Sequence, residues 1–217
     1  MDIKAVVFDM DGTLTEHNSW LEFSKALGVS AKDHIKIYKD TITGKIGLDQ
    51  SKRLLLDMWQ ISENANEAYI QKLFESWTIK KDAEYVNNWL IHKGVKTCII
   101  SGSVKQCAEV VAKKIGIDTV YTSAKLHYDS NGLLSAFDYV IDQAAVKLDH
   151  LKQFCKENDL SINECIVVGD GDNDIALFEA TKRGIFVETK YSSEQLRGLA
   201  WKSVTQLREI TDIIAMV

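Results

Sequence analysis

Three short polar runs sit where apolar runs stop. Asp9 and Asp11 follow Ala5-Val6-Val7-Phe8, Ser101-Gly102-Ser103 follows Ile99-Ile100, and Gly169-Asp170-Gly171-Asp172-Asn173-Asp174 follows Val167-Val168. A near-continuous apolar run of this length reads as a strand of a parallel sheet covered on both faces. In such sheets ligands bind beyond the carboxyl ends of the strands. Runs far apart in sequence are therefore expected to meet along one edge. Asp9 is the candidate nucleophile, a carboxylate able to attack phosphorus and hold it as an aspartyl-phosphate. Asp11 is the candidate acid and base, protonating the leaving alkoxide and then activating water. The two share a face if the strand continues past Asp9. If it stops there, the turn through Gly12-Thr13 brings Asp11 round beside it.

The other runs supply what a phosphoryl group needs. Ser101 can hydrogen-bond a phosphoryl oxygen, and Gly102 permits close backbone approach ahead of a helix whose free N–H groups favour an anion. Taken alone, Ser-Gly-Ser is equally a helix cap, and Asp-Gly is a common turn. Lys147, near the start of a helix expected over 143–157, can neutralise both phosphate and nucleophile. Three aspartates in five residues repel one another unless a cation gathers them, and an all-oxygen site at a phosphate points to magnesium. Asp170 is the preferred ligand, with Asp174 a further ligand or its neighbour and Asn173 directed to the phosphoryl group. A calcium loop is the rival, but the run lacks the twelve-residue pattern closed by Glu.

The elements around these runs alternate. Strands are expected at 5–8, 95–100, 117–121, 165–168 and 184–187. Helices are expected over 81–92, 104–115, 143–157, 174–182, 192–200 and 205–215, with a hairpin turn at Asp129-Ser130-Asn131-Gly132. That rhythm predicts an α/β fold, a Rossmann-like and mostly parallel sheet with right-handed crossovers. Residues 16–77 carry only helical periodicity: a short helix capped by Asn18 or Ser19, another over 32–40, and a stretch from Leu48 to about Leu73 broken near Ser62-Glu63-Asn64. The division expected is a core of residues 1–15 and 78–217 with a helical insertion over 16–77. Trp20, Trp59 and Trp77 fall at helical spacings that assign them to the insertion's own core.

The chain has 217 residues, a net charge of −5, 46% hydrophobic and 26% charged residues, and no proline. This is enough chain for a sizeable core, and the acidic balance argues against nucleic acid as a partner. No apolar run of membrane-spanning length and no signal-peptide pattern occurs, so a cytoplasmic location without membrane contact is expected. The four cysteines form no CxxC pair and read as buried thiols. Composition leaves monomer and homodimer equally open.

Taken together, Asp9-Met10-Asp11-Gly12-Thr13, Ser101, Lys147 and Gly169-Asp170-Gly171-Asp172-Asn173-Asp174 resemble, in order, the four motifs of the haloacid dehalogenase superfamily. The resemblance implies that Asp9 is the nucleophile and Asp11 the acid/base. It also implies that Asp9, the backbone carbonyl of Asp11 and Asp170 hold magnesium, and that Ser101 and Lys147 steady the phosphate. The aspartate at position 11 implies a phosphatase acting on a small phosphorylated metabolite. The same half-reaction serves a phosphomutase, and a non-catalytic phosphometabolite-binding protein is the remaining class. The helical insertion resembles the family's first (C1) type of cap, and the nearest branch looks like the phosphoserine phosphatases, with phosphoserine a candidate substrate. Three departures stand out. Gly12 replaces their usual Ser, Ser103 their second Gly, and Asn18 the Glu that reads the substrate's ammonium. Arg53 lies near the place of their cap arginine, which reads the carboxylate.

Overall fold

The computed structural model describes residues 3–189 and 193–217. It begins with β1 (Ala5–Phe8) and then makes four helices: α1 (Ser19–Ala26), α2 (Ala31–Ile42), α3 (Leu48–Gln60) and α4 (Glu67–Ser76). The alternating part follows as α5 (Ala83–His92), β2 (Lys96–Val104), α6 (Lys105–Ile115), β3 (Val120–Tyr128), β4 (Leu134–Asp138), α7 (Gln143–Glu157), β5 (Cys165–Gly169) and α8 (Ile175–Thr181). It closes with β6 (Gly184–Val187), α9 (Glu194–Leu199), β7 (Lys202–Val204) and α10 (Glu209–Ala215). Among the described residues the strands form one sheet in the order β4-β3-β2-β1-β5-β6-β7, parallel except for β4.

Every residue of β1 is buried, and alternate residues serve opposite faces. Val6 and Phe8 join a cluster with Ile99, Leu90 and Val111, whereas Ala5 and Val7 join Leu151, Phe154 and Phe178. This three-layer burial explains why the strand reads as unbroken apolar sequence. Because the chain passes from β1 to β2 on one side and returns to β5 on the other, the crossover direction switches at the tip of β1. Such a switch opens a crevice.

Two expectations need correction. The third strand starts at Val120 rather than 117 and runs to Tyr128, flowing directly into the hairpin with β4. The first turn of residues 117–119 is spent closing α6, with Ile117 N–H donating to Ala112 O. Between the two last helices lies β7, whose exposed Lys202 and Ser203 hide its pairing with β6. The helix expected over 192–200 is α9; its expected start at 192 lies outside the described residues, as do residues 1 and 2 of the expected core.

The helical stretch is clasped to the β3–β4 hairpin through α3, the α3–α4 turn and the start of α4. Leu134 N–H donates to Ala65 O at 2.9 Å, Glu67 N–H to Gly132 O at 2.8 Å, and Gln60 Nε2 to Leu134 O at 2.8 Å. Phe137 of β4 meets the ring of Trp59 at 4.9 Å between centroids. Trp59 is fully buried, as its helical spacing predicts.

Candidate active site

The strand β1 ends at Phe8, although Asp9 N–H still donates to Val168 O of β5 at 2.9 Å. The chain then folds over Met10, whose carbonyl accepts from the N–H groups of Thr13, Leu14 and Thr15. Of the two arrangements the sequence left open, the turn is therefore the one adopted. Gly12 sits at φ +77° because the turn needs a left-handed residue there. A side chain would also collide with Asp170, whose Oδ2 lies 2.1 Å from where a Cβ would stand.

Asp170 follows β5 and is held by Thr13 Oγ1, which donates to its Oδ1 at 3.1 Å, and by Thr189 Oγ1, which donates to its Oδ2 at 3.3 Å. Asp174 lies one short turn later, at the head of α8, fully buried. Lys147 rises from α7 below the sheet edge. Its ammonium donates to Asp9 Oδ1 and to Asp174 Oδ1, both at 2.7 Å, and it is 1% exposed. Burial disfavours its charge, but Asp174 and Asp9 outweigh that and hold its pKa above the usual lysine value.

The carboxylates outnumber their counter-charges. Asp9, Asp170 and Asp174 each offer an oxygen within 4.8 Å of the others'. Asp174 Oδ2 is buried with no partner. Burial, reinforced by Asp9, pushes the Asp170 carboxyl up to about 6; burial also raises Asp174, against the pull of Lys147. A buried oxygen trio with surplus negative charge and an unfilled acceptor fits a divalent cation of magnesium type.

Asp11 lies in a different setting. Ser19, at the start of α1, donates to its Oδ2 twice, from N–H at 2.9 Å and from Oγ at 2.7 Å. Because Ser19 Oγ gives its proton to Asp11, it accepts from Ser103 Oγ at 2.6 Å. Asp11 Oδ1 is left buried and unpartnered. Burial pushes this carboxyl up to about 7, with Asp9 adding to the rise and Ser19 opposing it. Ser19 is a residue sequence reasoning read only as a cap, and Ser103 was read only as a departure from a motif. The spacing of Ser103 two residues from Ser101 on β2, and the place of Ser19 at a helix start, are the available signals. Lys80 was missed altogether. Its ammonium donates to Gly12 O and its N–H to Leu14 O, clamping the turn, and nothing in the sequence around Lys80-Lys81 marks it.

Asp9, Asp11, Ser101, Gly102, Asp170 and Asn173 border one cavity of about 690 Å³, which also reaches Asn18. Ser101 Oγ accepts from Ser103 N–H at 3.1 Å. Gly102 is hemmed in by Gln143, whose Oε1 lies 2.7 Å from a Cβ position, and its carbonyl accepts from Trp20 Nε1 at 3.0 Å. Asn18 spends its Oδ1 capping α1, accepting from Leu21 N–H at 3.1 Å. Arg53 is not brought to this cavity. It is exposed and borders a smaller hollow with Asp49 and Leu56; Lys52 and Phe137 border both hollows, and Ser51 and Leu55 border the main one alone. One residue turns a helix by about 100°, so the cation α3 presents is Lys52.

A family model described as haloacid dehalogenase-like hydrolase matches residues 3–180. The chain belongs to this family. Within that family, its sequence is similar to those of several phosphoserine phosphatases. It is 27% identical over 180 residues to the phosphoserine phosphatase of Lactococcus lactis, covering 83% of this chain and 81% of that one. It is 24% identical over 176 residues to that of Methanocaldococcus jannaschii, covering 81% of each. Its fold resembles the solved phospho-aspartyl intermediate analogue of a phosphoserine phosphatase, with a TM-score of 0.77, 23% identity and coverage of 99% and 100%. It also resembles a haloacid dehalogenase family hydrolase of Salmonella enterica, with a TM-score of 0.81, 19% identity and coverage of 98% and 71%. As a haloacid dehalogenase-like hydrolase the protein is an enzyme, and its aspartate cluster suits a magnesium-dependent one. Among the described residues no helix is long and apolar enough to cross a membrane.

Proposed function

We propose that the protein hydrolyses a small phosphomonoester in two steps. With Asp9 Oδ1 engaged by Lys147, Oδ2 is the oxygen that attacks phosphorus. The P–O bond to the alcohol breaks as the Asp9–phosphorus bond forms, and Asp11 gives its proton to the departing oxygen. Its raised pKa suits it to carry that proton near neutrality. Asp11 then takes a proton from water as the water attacks phosphorus, releasing phosphate and restoring Asp9. Asp9, Asp170 and the backbone carbonyl of Asp11, with Asp174 beside them, would hold magnesium, which supplies positive charge against the phosphoryl oxygens. Ser101 and the backbone at Gly102 bind those oxygens, with Asn173 at the same edge. Lys147 offsets the charge of Asp9 and holds it aligned.

The observation that carries this reading is the convergence of Asp9, Asp11, Ser101 and Asp170 on one cavity floor, with Lys147 bonded to Asp9 beneath it. The relatives' names supply phosphoserine as a candidate substrate. The helical residues 16–77 act as the cap over that floor, in a cytoplasmic enzyme. The test is Asp9→Asn, assayed for phosphate release with magnesium. Loss of at least about 10³-fold, roughly 4 kcal/mol of barrier, is expected with an unchanged circular-dichroism spectrum. Turnover near wild type would remove Asp9 as nucleophile.

A further inference from the structure

Away from its carboxylate floor the cavity is a greasy room. Trp20 forms one wall beside the phosphate-binding loop. Its only polar atom is spent on Gly102 O. Its ring is fixed by stacking on Trp59 at 6.2 Å and 16° and by the edge of Tyr139 at 5.5 Å and 89°. Helix α2 forms the facing wall. Ile35, Tyr38 and Ile42 lie on one stripe of it and border the cavity while 37%, 44% and 50% exposed, and Ile141, 39% exposed, stands on the rim between β4 and α7. Large apolar side chains left facing water around a cleft mark a surface that a ligand covers.

The charges at this end disfavour an ammonium on the substrate. The helical insertion gives the cavity lining no carboxylate at all; its charged members there are Lys39 and Lys52. The remaining carboxylates of the lining lie at the strand tips or, as Asp142, at the exposed start of α7, where Oδ1 already accepts from Ala145 N–H. His34 offers no cation, since burial lowers its pKa and its Nδ1 is bonded to Ser24 Oγ at 2.6 Å. An amino-acid substrate would find no carboxylate on the insertion's side to pair its ammonium. The volume, about 690 Å³, lies within the roughly 300–1,000 Å³ of clefts that hold drug-sized ligands.

Resting on the phosphomonoesterase reading, we infer that the substrate is a phosphate ester of an alcohol with an apolar, aromatic body larger than serine. Its phosphate lies on the Asp9 floor and its body lies between Trp20 and the Ile35-Tyr38-Ile42 stripe.

The test is a series of primary alkyl phosphates: ethyl phosphate, 4-phenylbutyl phosphate and O-phospho-L-serine, each with magnesium. A kcat/KM for 4-phenylbutyl phosphate at least 30-fold above both others is expected, about 2 kcal/mol of added transition-state binding. In a Tyr38→Ser/Ile42→Ser double variant, both changes on exposed positions, the phenylbutyl-to-ethyl ratio should fall at least fivefold, mainly through KM. Phosphate release from all three with a flat ratio, or with phosphoserine preferred, overturns the inference and leaves the phosphatase reading standing. No release from any ester overturns both. Should the double variant not fold, the wild-type ratio alone decides.

Discussion

Placing a methyl group at residue 12 tests whether Asp170 is held where the site requires it. In Gly12→Ala two costs arise. The backbone sits at φ +77°, where a residue with a side chain loses about 1–2 kcal/mol. The new Cβ would stand 2.1 Å from Asp170 Oδ2 and 2.7 Å from Oδ1, so the carboxylate must swing away. It then gives up the hydrogen bonds from Thr13 and Thr189, roughly another 1–2 kcal/mol net. Gly28→Ala isolates the first cost, because Gly28 has φ +84° but open space around its Cβ position. At about 2–4 °C per kcal/mol for a chain of this size, Gly12→Ala should lower the unfolding midpoint by roughly 5–15 °C. Gly28→Ala should lower it by about half as much. The second readout is magnesium. An ion that binds only the folded protein adds about 2.7 kcal/mol at a hundred times its Kd, and that rise should persist in Gly28→Ala and shrink in Gly12→Ala. Equal midpoints and equal magnesium responses in the two variants would refute the placement of Asp170.

Two further predictions concern buried charge. Lys147→Met leaves Asp9 and Asp174 facing each other without an ammonium, which should cost about 3–5 kcal/mol in denaturant unfolding at pH 8. Part of that should return at pH 6, since burial already raises Asp174 and a proton can replace the lost charge; a loss below about 1 kcal/mol would deny the triad. His34 predicts an acid slope of its own. Burial lowers its pKa to about 4 from the usual 6.5, so the unfolded chain binds its proton first. The stability it contributes is complete above pH 6.5 and is lost as pH falls toward 4, amounting to about 2 kcal/mol by pH 5. Between pH 7 and 5, wild type should lose about 2 kcal/mol more unfolding free energy than His34→Gln in denaturant titrations, and equal losses would sink the idea.

The parts of the site legible in sequence were those written as contiguous runs at strand ends. Val6 to Asp11 and Val167 to Asp174 combine a buried strand with its polar tip in a few residues, and the sheet order brings their tips together. What escaped depended on angles and reach. Arg53 and Lys52 differ by one step on α3, and phase on a helix with a charged face cannot be read without knowing what covers it. Ser19 and Ser103 look like cap and turn residues until α1 is laid across the end of β2. The edge strand β7 has three residues and one buried side chain, too little for a period of two to show. Trp20 shared its helical spacing with true core residues, but in the structure it is half-buried and walls the cavity.

The clasp between the four helices and the β3–β4 hairpin sets an order on how the chain matures during synthesis. Helices α1–α4 are made early, yet their partners Gly132, Leu134 and Phe137 come more than a helix-strand-helix-strand length later. Until the hairpin leaves the ribosome, Ala65 and Glu67 lack their backbone partners and Trp59, though packed on Trp20 and Phe23, lacks Phe137; β1 likewise lacks β5 on its other side. Because chains grow at about 5–20 residues per second, the side of these helices that meets the hairpin stays uncovered for several seconds. That nascent interval, not the finished fold, is where this protein is most exposed to capture by chaperones or to self-association.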